Sequence, residues 1–344
     1  MMKFLLIGSF DFDKLDTGGQ PVKSRELFWA LVEKYGKESV TYIETPRWKR
    51  HPITTFFKTL SLSKKSDIII MLPAHNGVKV FSRILTFIKK RYSKKIYYDV
   101  IGGWLNEMLN SKPRLIKSLR QFDCVFVETE NMKLGLDEKG IPCKVVPNFK
   151  RLEPASISDY PLATTPPFKL CIFSRITEMK GIGEAIESIR EVNNLGFFYT
   201  LDIYGPVDDS YREKFFKTIE SSKDFVNYKG CVSPSESVNA LKKYFALLFP
   251  TRFFTEGVPG TIIDAYFSGV PVISSKWLSF SDVVIDGETG FGFNFDKFEE
   301  LKRLLIKIAN HPNLINKMRT NCLKMASKYT PSFAINILEK EFSQ

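Results

Sequence analysis

Short apolar runs alternate with longer amphipathic segments through most of the chain. Lys3–Gly8, Val40–Ile43, Ile68–Leu72, Ile96–Val100 and Cys124–Glu128 are near-continuous apolar runs of strand length. That pattern belongs to strands covered on both faces of a parallel sheet. Val22–Tyr35 and Val78–Lys90, lying between them, are longer and amphipathic and predict helices. Near Asn148 the rhythm breaks, and residues 153–168 are rich in Pro, Ser and Thr without any period, which predicts a linker. A second series follows, with strands predicted at Leu170–Ser174, Thr200–Tyr204, Val226–Tyr228, Ala246–Phe249 and Val270–Ile273. Its first helix, Gly181–Val192, places Ile182, Ala185, Ile186 and Ile189 on one face. The expected class is α/β, with two Rossmann-like, doubly wound domains at 1–155 and 165–328. Open α/β sheets bind ligands outside the carboxyl ends of their strands, so a cleft between two facing halves is the expected ligand pocket.

A length of 344 residues suits two domains, and a hydrophobic share of 44% suits chains with real cores. No apolar run approaches the roughly 20 residues of a membrane helix. The apolar start at Phe4–Ile7 is too short for a signal peptide, which predicts a cytoplasmic protein. The five cysteines, Cys124, Cys143, Cys171, Cys231 and Cys322, lack CxxC spacing and are expected as buried free thiols. Three histidines, His51, His75 and His311, argue against a multi-histidine metal site. Charge is uneven: residues 1–150 hold 27 Lys+Arg against 15 Asp+Glu, leaving 23 of each in the remainder. The basic first half suits an anionic membrane surface or another polyanion, or simply a solvated face.

Three segments carry candidate chemistry. Gly18 and Gly19 stand in the loop after the first strand, ahead of a predicted helix beginning near Pro21; a backbone free of side chains beside a helix N-terminus suits an anion. The absence of GxGxxG after Gly8 counts against a nicotinamide or flavin enzyme. In the second half, Arg175 closes a strand and Lys180 opens the next helix, two cations that can hold a diphosphate and offset its charge as it leaves. Residues 250–274, PTRFFTEGVPGTIIDAYFSGVPVIS, are the most informative. Glu256 precedes Gly257, Val258, Pro259, Gly260 and Thr261, and the peptide N–H groups of Val258, Gly260 and Thr261 would open a helix toward phosphate or sugar oxygens. Asp264, one turn in, can accept from a vicinal diol or merely complement the helix dipole.

Taken together, Gly18–Gly19, Arg175 with Lys180–Gly181, and EGVPGTIIDAYFSGVPVIS resemble the family 4 retaining glycosyltransferases of the GT-B type, closely over residues 170–295 and more loosely in the first half. The family's third motif is Glu, seven residues, Glu; this chain has Glu256, seven residues, Asp264. The resemblance implies a retaining, metal-independent hexosyltransferase that needs no cofactor and uses a nucleotide-diphosphate sugar, UDP favoured over GDP-mannose. It implies that Glu256 meets the donor sugar, Arg175 and Lys180 hold the diphosphate, and Asp264 binds ribose. By the same resemblance Gly18 and Gly19 approach the phosphates, Tyr204–Gly205 lies beside the nucleotide, and Gly230–Cys231 holds the base. A last helix, within 329–344, is expected to cross back onto the first domain.

The acceptor is expected to be a glycan or a lipid-linked saccharide. Many members of the family it resembles carry a first-domain histidine on that side, whereas this chain has Tyr98–Asp99–Val100–Ile101–Gly102–Gly103–Trp104 there. Asp99, Gly103, Trp104 and His75 are therefore the acceptor-side candidates, with Trp104 also able to serve as packing. Residues 46–65 mix Trp48, Phe56, Phe57, Leu60 and Leu62 with basic residues, a composition suited to peripheral attachment to an anionic membrane or to ordinary core packing. A sugar-nucleotide epimerase would need acids and histidines absent from these motifs. A non-catalytic sugar-nucleotide-binding subunit would share the donor motifs, whereas a nucleic-acid-binding protein would account for the charge alone.

Overall fold

Two six-stranded sheets, parallel throughout, organise the chain. The computed structural model describes residues 2–12, 18–45, 48, 50–156, 162–196 and 198–343. Thr17, Arg47, Lys49 and linker residues 157–161 lie outside them. The chain divides into two units, Met1–Arg151 with Lys328–Gln344, and Leu152–Ser327.

In the first unit the strands are β1 (Phe4–Gly8), β2 (Val40–Glu44), β3 (Ile68–Met71), β4 (Lys95–Asp99), β5 (Cys124–Val127) and β6 (Cys143–Val145), in the order β2-β1-β3-β4-β5-β6. Successive side chains of a strand face opposite ways, and both sides are apolar here. Leu5, Ile7, Ile69, Met71, Ile96 and Tyr98 pack with Val78, Phe81, Leu85 and Ile88 of the helix Asn76–Tyr92. Phe4, Leu6, Ile68, Ile70 and Tyr97 pack on the other side with Leu27 and Leu31 of the helix Gly19–Tyr35. The last helix, Pro331–Phe342, completes that second side through Ala334, Ile335, Leu338 and Phe342. The Thr330 hydroxyl caps its start by accepting from the Phe333 N–H at 3.2 Å. At its end Tyr97 Oη donates to the Glu341 carbonyl at 2.9 Å. Each fully buried apolar side chain of this kind contributes about 1.5–3 kcal/mol.

The second unit holds β7 (Phe168–Phe173), β8 (Tyr199–Tyr204), β9 (Val226–Tyr228), β10 (Ala246–Phe249), β11 (Val272–Lys276) and β12 (Gly290–Asn294), ordered β12-β11-β10-β7-β8-β9. Counted from β7, this is the Rossmann order, with its switch point between β7 and β10; the first unit has the flavodoxin-like order, with its switch point between β1 and β3. Strands β6 and β12 are additions to the sequence reading. Both are sheet edges, one half-buried throughout and the other interrupted by Gly290 and Gly292, so neither forms an apolar run.

The cysteine expectation needs correction. All five are free, but only Cys124, Cys171 and Cys322 are buried; Cys143 is half-buried and Cys231 exposed, because it follows β9 in a surface loop. Among the described residues no helix is long and apolar enough to cross a membrane.

Candidate active site

The second unit gathers its candidate residues at the carboxyl ends of β7 and β10. After β7 the chain passes Ser174 and the exposed Arg175, makes a 3-10 turn at Glu178–Lys180, and enters the helix Ile182–Asn194. Gly181 links turn to helix at φ 64°, where a Cβ would collide with the Pro250 carbonyl just past β10. The two loops are also tied by the Arg252 N–H, which donates to the Met179 carbonyl at 2.8 Å. This apposition brings Lys180 Nζ within 2.5 Å of Glu256 Oε1. Thr251 Oγ1 donates to the same carboxylate oxygen at 3.1 Å, and the Lys180 ammonium lies 5.2 Å from the centre of the Phe249 ring. Neither charge is fully buried, with side-chain exposures of 23% and 15%, so both are within reach of a ligand.

Glu256 leads into Gly257–Pro259 and the helix Gly260–Phe267. Pro259 supplies no side-chain cap. The first backbone bonds back to Pro259 come from Ile262 and Ile263, leaving the Gly260 and Thr261 N–H groups without a protein acceptor among the described residues. The Thr261 hydroxyl is shut away from solvent and likewise unpartnered. A helix start with donors to spare, next to a lysine, is suited to an anion. Arg175, at the neighbouring strand end, makes no ion pair among the described residues. Its field is felt by Asp208, whose carboxyl is held below the usual range chiefly by hydrogen bonds from Ser210 and further by Arg175.

The β8 and β9 ends join this group through backbone contacts. Ser174 N–H donates to the Tyr204 carbonyl at 3.1 Å, and Gly205 N–H to the Gly230 carbonyl at 2.9 Å. Tyr228 Oη donates to the Gly205 carbonyl at 2.9 Å. Gly205 has φ 131°, and a Cβ there would overlap the Ser174 carbonyl. Cys231, just beyond Gly230, is exposed.

Two donor-side side chains face away from the positions expected of them. Tyr204 is buried, its Oη 2.7 Å from Tyr244 Oη, so only its backbone borders the loop cluster. Asp264 is 1% exposed, and its Oδ1 accepts from Ser237 Oγ at 2.9 Å. Its helix is buried on nearly every side, and the carboxylate is satisfied within the protein rather than turned to solvent.

In the first unit, Gly18 and Gly19 do open the helix Gly19–Tyr35, and a Cβ on Gly19 would meet open space. Gln20 ties this start to the end of β3 by donating to the Leu72 carbonyl at 3.2 Å. His75 and Trp104, far apart in sequence, are stacked with ring centres 4.6 Å apart and planes at 16°. Trp104 Nε1 donates to the Ile101 carbonyl at 2.8 Å. One face of the indole is thus covered, and the exposed member of the pair is His75, held at φ 46°, ψ −108°, a strained conformation for a side-chain-bearing residue. Gly103 is buried.

Asp99 is a correction. It is 1% exposed, and its Oδ1 lies 2.8 Å from Lys23 Nζ, itself 1% exposed. Lys23 also donates to Glu128 Oε1 at 3.3 Å and to the Val100 carbonyl at 3.0 Å. Asp99 therefore belongs to a buried ionic cluster beneath the carboxyl ends of β4 and β5, not to an acceptor surface. Burial pushes its carboxyl above the usual range against the pull of Lys23. Burial also disfavours the Lys23 charge, but the two carboxylates outweigh it and raise the lysine. Sequence reasoning passed over Lys23 and Glu128, because Lys23 lies 76 positions from Asp99 and 105 from Glu128 in the chain.

A family model described as glycosyl transferases group 1 matches residues 158–325. The capsular polysaccharide biosynthesis glycosyltransferase CapM of Staphylococcus aureus is 27% identical over 149 residues, covering 43% of this chain and 38% of CapM. The matches span little more than a third of the length of the curated relatives. Among solved structures, Anabaena HepE (Alr3699), determined with UDP, superposes with a TM-score of 0.79 at 15% identity over 100% of both chains. Sucrose-phosphate synthase of Thermosynechococcus elongatus superposes with a TM-score of 0.77 at 14% identity over 98% of both. The fold is GT-B, and residues 158–325 are similar to the group 1 glycosyl transferases.

Proposed function

We propose that this protein transfers a hexose from a UDP-sugar to a saccharide or lipid-linked saccharide acceptor with retention of anomeric configuration. The observation that carries the reading is the Lys180–Glu256 pair clasped at the β7–β10 switch point, beside the uncapped start of Gly260–Phe267. In this reading the diphosphate lies against that helix start, with Arg175 and Lys180 offsetting the charge that grows as the sugar C1–oxygen bond breaks. Glu256, already oriented by Lys180 and Thr251, accepts from donor-sugar hydroxyls. The acceptor hydroxyl attacks C1 from the face the diphosphate leaves, and its proton passes to the departing phosphate oxygen. Such a route asks for neither a metal nor a cofactor. The Gly205 and Gly230–Cys231 backbones hold the nucleotide base side, and Asp264 acts on the ribose side by fixing the Ser237 turn. UDP in the HepE structure, and the capsular role of CapM, favour a UDP-sugar and polysaccharide synthesis.

His75, stacked on Trp104, is the exposed acceptor-side candidate once Asp99 is set aside. A peripheral membrane location is supported by the helix Pro52–Lys65, which exposes Ile53 at 72% and Phe57 at 62% beside Lys58, Lys64 and Lys65. Failure to float with anionic liposomes at low salt would remove that location without touching the chemistry.

A thermal-shift panel of UDP, GDP, TDP, CDP and their sugars tests the central reading, with Arg175→Ala as control. Ligand at about 100 times its Kd should add about 2.7 kcal/mol. A UDP response lost in Arg175→Ala is expected; no response to any nucleotide would overturn the donor site.

A further inference from the structure

A cavity of about 300 Å³ opens in the first unit between the first two turns of the helix Asn76–Tyr92 and the turn that precedes the helix Pro113–Leu119. Its volume is at the small end of ligand pockets, room for a head group rather than a nucleotide sugar. Lys79, Arg83, Lys112 and Arg114 all line it, and none of the lining residues is acidic. None of the four cations is in an ion pair among the described residues; Lys79 Nζ has only the neutral Asn76 Oδ1, at 3.2 Å. Elsewhere on this basic unit some cations find acids, as Lys89 does with Asp123 at 2.7 Å and Lys133 with Asp137 at 2.6 Å. Four like charges gathered round one hollow repel each other and focus a positive potential into it.

A second observation comes from Ser82, which also lines the cavity. The residue is 0% exposed, and its hydroxyl has no hydrogen-bond partner among the described residues. Serine and threonine in a helix can satisfy themselves on the carbonyl one turn back, as Thr59, Ser66 and Thr86 do; the buried Ser24 and Ser63 share the unmet state of Ser82 but do not line the cavity. An unmet buried hydroxyl is costly. At the wall of a cationic cavity it is an unused hydrogen-bond donor.

We propose that this cavity binds a phosphoryl group, as a phosphate monoester or diphosphate, on a ligand other than the donor nucleotide. Lys79, Arg83, Lys112 and Arg114 supply charge-assisted hydrogen bonds, and Ser82 donates one from the wall. The same chemistry could reach the site on a lipid head group or on a water-soluble molecule. The proposal concerns the first unit alone and stands whether or not the donor reading does.

The test is calorimetric titration of inorganic pyrophosphate into the intact protein at low ionic strength. It compares wild type, Lys112→Glu/Arg114→Glu, Ser82→Ala and Arg175→Ala. The exposed double variant should lose at least tenfold in pyrophosphate affinity while its UDP thermal shift stays as in wild type. Ser82→Ala should lose several-fold in affinity while melting no lower than wild type. That combination separates a ligand contact from a fold defect. Arg175→Ala should lose the UDP response and keep this pyrophosphate site. Flotation on neutral vesicles doped with phosphatidic acid or with phosphatidylglycerol distinguishes the sources. Preference for phosphatidic acid, lost in the double variant, identifies a membrane-borne phosphomonoester. Pyrophosphate binding with equal flotation on both identifies a soluble ligand. No pyrophosphate binding up to millimolar concentration, or equal affinity in wild type and the double variant, overturns the proposal. Loss of the UDP response alone would count only against the donor site.

Discussion

Replacing Lys23 by methionine removes the cation that Asp99 and Glu128 share. Lys23 Nζ is 2.8 Å from Asp99 and 3.3 Å from Glu128, and all three side chains are 1–2% exposed. Breaking a buried pair by deleting one partner costs about 3–5 kcal/mol, because the remaining charge stays desolvated. For a unit of this size that lowers the melting temperature of its transition by about 6–20 °C. The pH dependence fixes the cause. Lys23 is raised in the folded state, so its stabilisation is whole below the ordinary lysine range and is lost as pH rises through its folded value. Asp99 is raised too, so the folded state favours its neutral form; that advantage is present at acid pH and is lost as pH climbs through its folded value. Without Lys23 that loss is larger, and the gap between variant and wild type should widen as pH rises from the acid range to neutrality. It should narrow again in strong alkali, where wild type loses the lysine charge. Scanning calorimetry of both proteins across this range measures it. Adding Asp99→Asn and Glu128→Gln to the variant should recover part of the loss at neutral pH. A difference under about 1 kcal/mol at pH 7.5, or one independent of pH, would refute the reasoning, since a pure packing defect has no such slope.

Two further outcomes follow from the second unit. Gly205→Ala should unfold that unit earlier by at least about 2 kcal/mol, because φ 131° is strained for any side chain and the Cβ overlaps Ser174 O; thermal melting checks it. Lys180→Met should weaken UDP binding by about 1.5–3 kcal/mol, the size of a hydrogen bond to a charged group. Glu256→Gln, which keeps the size of the side chain but frees Lys180, should leave UDP affinity within about threefold and weaken binding of the UDP-sugar instead. Calorimetric titration separates the two, and equal losses for UDP and UDP-sugar in Glu256→Gln would contradict a sugar-facing carboxylate.

How far the sequence disclosed this arrangement depended on whether the signal was local. Apolar runs such as Ile68–Met71 and Ala246–Phe249 announce central strands because both faces of a parallel sheet are covered, whereas the edge strands Cys143–Val145 and Gly290–Asn294 bury little and leave no run to read. The Glu256–Thr261 segment was legible because its chemistry lies in consecutive residues that open one helix. Lys180 and Glu256 could be nominated singly, but their pairing depends on Gly181 lying flat against Pro250, a contact between two loops. The acceptor side was the least readable for the same reason. His75 stacks on Trp104, and Asp99 turns inward to Lys23, through the order in which β1, β3 and β4 are laid side by side. Asp264 shows a local sign that was available: it stands in Ile262–Phe267, apolar on both sides of it, and a helix apolar all round is a buried one. Its carboxylate therefore had to find a partner inside the protein, and Ser237 is that partner. A carboxylate in such a helix organises the loop beside it before it can meet a ligand.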